Sequence, residues 1–149
     1  MQDYEINEKT LAIIPFSKRK AIVYEDHECF ILEKPVHKIM DSSCRYYGST
    51  ISGRQQGTTT LTGLNYKAPI IISEENNIIF FPTTSPRLKE CAWVSLNNIN
   101  KCYNKEDKML IEFLNKETVE LDISANVLKN QIYRASVLES TIRKRTRNQ

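Results

Sequence analysis

Glycine is scarce in this chain of 149 residues. There are four, Gly48, Gly53, Gly57 and Gly63, and three of them fall in the single stretch "SSCRYYGSTISGRQQGT", Ser42–Thr58. That stretch also lacks any acidic residue. Other absences narrow the function. No run approaches the ~18 apolar residues of a membrane-spanning helix. The polar, acidic start "MQDYEINEKT" lacks the apolar core of a secretory signal, so a cytoplasmic protein with no membrane partner is expected. The four cysteines, Cys29, Cys44, Cys91 and Cys102, form no CxxC pair and have no histidine at ligand spacing. They read as reduced, structural thiols, and no metal site is expected. Neither GxxxxGK[ST], GxGxxG, HExxH nor DxDxDG occurs, and no carboxylate cluster does. No cofactor is expected and an enzyme is disfavoured. Cys44 with His27 or His37 would make a thiol and a base, but without an orienting acid or an oxyanion loop. Its plainer role is to pack inward.

Acids are also unevenly spread. After Asp41 the next is Glu74, and between there and Asn100 only Glu75 and Glu90 follow. The closing "RKRTRNQ" has four cations and no carboxylate. On a chain of net charge +3, two acid-free basic segments indicate a local anion-binding surface rather than a globally cationic protein.

What is present is mostly two-residue alternation. In "TVELDI" Val119, Leu121 and Ile123 share one face, and in "KMLIEFLN" Met109, Ile111 and Phe113 do. "PIIIS" and "NIIFFP" flank a polar "EENN" turn and read as a hairpin; "TLAIIP", "KAIVYE", "ECFILE", "TTTLTG" and "CAWVSL" read as further strands. The expected fold is mainly β (α+β): an antiparallel sandwich or barrel-like sheet with a C-terminal amphipathic helix. It occupies one domain over 1–149, the sheet over about 4–123 and the helix over about 124–145. That helix carries Leu128, Ile132 and Ala135 at helical spacing, with basic residues at its end to suit the dipole. A shorter helix is expected within "HKIMDSSCRYY".

The glycine–arginine segment reads as a loop that binds a polyanion. Arg45 and Arg54 offer guanidinium groups to phosphate. Ser49, Thr50, Ser52 and Thr58 offer hydroxyls, Gln55 and Gln56 offer amides that can read base edges, and Gly53 lets the backbone come close. The competing reading is a surface loop whose arginines pair with acids elsewhere. Tyr46 and Tyr47 are either base-stacking or core and rim. Arg143 and Arg145 are either a solvated helix end or phosphate contacts, and Arg87 is an isolated loop cation.

The block "DSSCRYYGSTISGRQQGT", the segment "APIIIS…NIIFFPTTSPRLKECAWVSL", then "VELDIS" and "NQIYRAS" together resemble the competence transcription factor family, ComK, from about Tyr4 to Arg143. The resemblance implies an activator of DNA-uptake genes that binds paired A/T-rich boxes of double-stranded DNA through the minor groove, as more than one dimer. It also implies recognition by an adaptor of an ATP-dependent protease. Arg45 and Arg54 fall on motif positions. Against the family pattern this chain stops sooner after the helix, at Gln149, and Gln55 and Gln56 are less basic than a lysine-containing counterpart. The expectation is therefore a homodimeric or tetrameric DNA-binding activator, with Arg45, Ser49, Thr50, Ser52, Gly53, Arg54, Gln55, Gln56, Thr58, Arg143 and Arg145 on DNA. Dimerisation through Leu128, Ile132 and Ala135 competes with packing of that stripe on the chain's own sheet. The alternative is a non-catalytic module whose basic loop binds an acidic protein.

Overall fold

A strand covered on both faces has no solvent side, so its sequence loses alternation and becomes an apolar run. "III" and "IIFF" are such runs, and they lie at the centre of the molecule. The computed structural model describes residues 4–147; the extremes of the domain expected over 1–149, and the side chain of Arg147, lie outside the described residues. In chain order the elements are β1 (Thr10–Ser17), β2 (Lys20–Glu25), β3 (Glu28–Leu32), α1 (Val36–Tyr46), α2 (Ile51–Thr62), β4 (Ile70–Ser73), β5 (Ile78–Pro82), β6 (Trp93–Ser95), β7 (Ile99–Lys105), β8 (Lys108–Phe113), β9 (Thr118–Leu121) and α3 (Ala125–Arg147).

The strands form two antiparallel sheets, one of six strands in the order β3-β2-β1-β6-β5-β4 and one of three in the order β7-β8-β9. The fold is α+β, mainly strands with a C-terminal helix, and no barrel closes among the described residues. The large sheet separates two cores. On one face Ile13, Val23, Ile70, Ile72, Phe80 and Trp93 pack against Ile39, Met40 and Cys44 of α1. On the other, Ala12, Ile71, Ile79, Phe81 and Val94 meet Met109, Ile111, Phe113, Val119 and Leu121 of the small sheet and Leu128, Ala135 and Leu138 of α3. Consecutive residues Ile70, Ile71 and Ile72 thus serve opposite cores, which explains the unbroken run. The β4–β5 hairpin over "EENN" pairs Ile70 with Phe80 and Ile71 with Ile79.

One expectation needs correction, and one strand went unread. "TTTLTG" is not a strand, because Thr58–Thr62 belongs to α2. And β7, Ile99–Lys105, is a strand that alternation did not reveal, since most of its residues are exposed at the edge of the small sheet. The apolar stripe of α3 is covered by this chain. Leu128 and Ala135 are fully buried and Ile132 packs beside them. Leu128 and Ala135 therefore leave no apolar surface free for a second copy.

Candidate nucleic-acid interface

The glycine–arginine segment is not a loop. It is the end of α1, a turn over Tyr47–Thr50 and most of α2. Glycine and β-branched residues disfavour helix, so this helix depends on its surroundings. Thr50 caps it by accepting the Gly53 N–H at 2.9 Å. Asp41 of α1 accepts the Ile51 N–H at 2.9 Å through Oδ1 and the Arg45 Nε–H at 2.7 Å through Oδ2. Those two donors, the backbone N–H first, hold the Asp41 carboxyl below the usual carboxylate range. Along the helix the Thr59 and Thr62 hydroxyls donate back to the carbonyls of Gln55 and Thr58.

The inward face of α2 seals an open sheet edge. β4 is an edge strand, and such edges expose unpaired carbonyls. Arg54 donates through Nη2 to Ile72 O at 3.3 Å and to Tyr47 O at 3.2 Å. The Thr58 hydroxyl donates to Pro69 O at 2.6 Å. Ile51 packs on one core and Leu61 on the other. Arg54 and Thr58, both expected at DNA, are thus turned toward the sheet, and Arg54 Nε is buried without a partner among the described residues.

The outward face is uniformly polar. Ser52 and Gln56 are exposed, Gln55 is half-buried and Thr59 exposed, at the three- and four-residue spacing of one helical face. With Thr60 they line an open cleft of about 630 Å³ whose other wall is Asn65, Tyr66, Lys67, Ser85, Pro86 and Arg87. No acid lines it. Arg45, at the end of α1, is exposed but held by Asp41, and it does not line the cleft. Gly53 and Thr50 are occupied with the cap, and Ser49 donates weakly to Thr50 O at 3.4 Å. Tyr46 is exposed and meets Tyr47 edge-on, while Tyr47 donates to Ile6 O.

The far end of α3 is a separate place. Arg134 touches the cleft wall, donating to the Tyr66 and Lys67 carbonyls. Arg143 lies nine residues further on, roughly 13 Å at helical rise. There it pairs with Glu139 at 3.3 Å and lines a groove with Glu74 and Asn77 of the β4–β5 turn. Arg145 is exposed on the same last turns. The structure therefore does not bring Arg143 to the α2 cleft.

Cys44 has no catalytic setting. It is fully buried, and burial pushes its thiol up to about 11, away from the thiolate a nucleophile needs.

Comparison with known proteins bears directly on this arrangement. The family model described as ComK protein matches residues 1–147. The chain belongs to the ComK family. It is also 33% identical over 150 residues to the competence transcription factor of Bacillus subtilis (strain 168), an alignment that covers 97% of this chain and 78% of that protein. No solved structure matches the chain. Membership in ComK supports a transcription-factor role. No helix among the described residues is long and apolar enough to cross a membrane.

In this ComK chain, residues that sequence reasoning passed over set the cleft. Gln131 is fully buried in α3 and donates to Pro82 O at 2.7 Å and Lys67 O at 2.9 Å. Its own carbonyl accepts from Arg134 at 2.7 Å, and burial lowers the Arg134 pKa. Together they hold the 65–68 segment, with Lys67 in a left-handed conformation at φ 51°. The available signal was a glutamine one turn from Leu128 and Ala135 on an apolar helix face.

Proposed function

We propose that the chain is a DNA-binding transcriptional activator of DNA-uptake genes, acting on A/T-rich boxes as an oligomer. The observation that carries this reading is the acid-free cleft beside α2. A row of hydroxyls and amides, Ser52, Gln55, Gln56 and Thr59, faces Lys67 and Arg87 across it. Such side chains donate to phosphate oxygens and read base edges, and the cations attract the backbone. Entry into the minor groove is favoured. Arg87, exposed in the segment between β5 and β6, is the arginine that enters it, since an exposed arginine suits the enhanced potential of a narrow A·T groove. The α2 face then runs along the groove, with Gln55 and Gln56 toward base edges and Ser52 and Thr59 toward the phosphates. Arg45 and Arg143 with Arg145 serve as outlying phosphate contacts. Recognition by an adaptor of an ATP-dependent protease belongs to the same reading and rests on the family resemblance alone.

One observation favours a second reading. Two helices joined by a short turn, with the second offering a polar face, match the layout in which that helix enters the major groove. Replacing A·T by I·C pairs separates the two, because the swap keeps the minor-groove pattern largely A·T-like and rewrites the major-groove one. Binding of the I·C duplex in a gel shift is the expected result. Loss of binding to that duplex, with the A·T duplex still bound, assigns α2 to the major groove. No preference for A/T-rich duplex over a scrambled one ends the proposal.

A further inference from the structure

We infer that the surface joining the β1–β2 turn, the first turn of α1 and the 86–89 segment is a second cationic arm of the DNA interface, which grips phosphates beyond the α2 cleft. The inference rests on the reading of that cleft as a DNA site. Two observations carry it independently of that reading. The first is continuity. Pro86 and Arg87 line the α2 cleft and also a second groove of about 300 Å³, whose floor is Pro15, Val36 and Trp93 and whose rim is Lys18, His37 and Lys89.

The second is charge. The chain has 18 acids, yet no Asp or Glu lines either of these two joined grooves. Each of three further grooves holds at least one: Glu90, Glu120 and Asp122 in one, Glu74 and Glu139 in another, Glu8 in the last. The first of these meets the α2 cleft at Lys67 and the second groove at Pro15, and so bounds the cationic strip on one side. Lys18, Arg19, Lys20, Arg87 and Lys89 are all exposed. None takes part in an ion pair among the described residues. Exposed cations with no ion-pair partner among the described residues, and no acid in the lining of either groove, present a cationic strip. Glu90, next to Lys89, is the nearest acid in sequence. A polyanion spanning both grooves is the complementary occupant. Duplex DNA fits better than an acidic peptide, because one regularly charged backbone can follow the unbroken surface from α2 to the β1–β2 turn.

The phosphate role predicts a signature in salt. The full chain and its Lys18→Ala/Arg19→Ala/Lys89→Ala variant are titrated with an A/T-rich and a scrambled duplex between 50 and 300 mM salt. The variant should bind both duplexes more weakly, by roughly a hundredfold at 0.1 M salt. Its slope of log K against log salt should be shallower by about 3, with the A/T preference kept. An unchanged slope overturns the inference. The single charge reversal Lys89→Glu checks that the effect is charge rather than folding, and thermal unfolding should match the unaltered chain. Gln55→Ala/Gln56→Ala tests the parent reading separately. Loss of A/T preference there with an unchanged salt slope supports the cleft, whereas an unchanged preference sinks the cleft and leaves the arm to be judged by its slope. Binding of poly-glutamate that the triple variant abolishes, with duplex binding unaffected, assigns the surface to an acidic protein and overturns the inference.

Discussion

The Arg54 guanidinium donates to the carbonyl of Ile72, so that a helix side chain closes the exposed edge of the six-stranded sheet. The same nitrogen reaches Tyr47 O in the turn before α2. One cation therefore ties strand, turn and helix together. Hydrogen bonds to charged groups contribute about 1.5–3 kcal/mol each way of counting them. Arg54→Ala is expected to lower the unfolding free energy by about 2 kcal/mol. Denaturant titration measures it. An unchanged midpoint with lost DNA affinity makes Arg54 a DNA contact instead.

Asp41 caps α2 from outside it and pairs with Arg45. The Ile51 N–H and the Arg45 guanidinium hold its folded pKa below the ordinary carboxylate range. A depressed carboxylate contributes stability that is present above its unfolded value and is lost as the pH falls through the folded one. Asp41→Asn should therefore cost stability at neutral pH, about 1 kcal/mol by analogy with other lost helix caps. It should also flatten the acid limb of a plot of stability against pH below about 4. An acid limb that coincides with that of the unaltered chain would remove Asp41 from this role.

The glycines of α2 differ. A Cβ at Gly53 would lie 2.7 Å from Ser49 Oγ and 3.2 Å from the capping Thr50 Oγ1, whereas one at Gly57 meets nothing within 4 Å. Alanine is preferred to glycine inside a helix by about 1 kcal/mol. Gly57→Ala should thus raise the melting temperature, while Gly53→Ala should gain nothing or lose, because the cap must give way. If Gly57→Ala also weakens DNA binding, that glycine is kept for close approach to the duplex and not for the fold.

Gln131 is the buried donor that fastens the cleft's outer wall. Gln131→Leu keeps the bulk but leaves the Pro82 and Lys67 carbonyls without it. Unmet buried polar groups cost about 1–3 kcal/mol. The expected outcome is a loss in that range, with faster hydrogen exchange in the 65–68 segment. Unchanged exchange there would mean that Arg134 suffices to hold the wall.

Much was legible from local pattern. Alternation located β8 and β9, apolar runs located β4 and β5, and the loss of alternation after Ser124 located α3, because each reflects which faces of an element meet the core. The "CRYYGS" block and its companions also pointed to the family that the chain belongs to. What local pattern could not decide was α2. Glycines at 53 and 57 and β-branched threonines at 58, 59, 60 and 62 argue for a loop or strand. The helix exists because Asp41 and Thr50 meet its first N–H groups, and because Arg54 satisfies a carbonyl of β4, a strand that begins eight residues after the helix ends, while Thr58 satisfies that of Pro69 just before it. The same long-range contacts turned Arg54 inward and left the outer face to Ser52, Gln55 and Gln56. Spacing along a chain says which side chains share a face; only the packed sheet determines which face the solvent keeps.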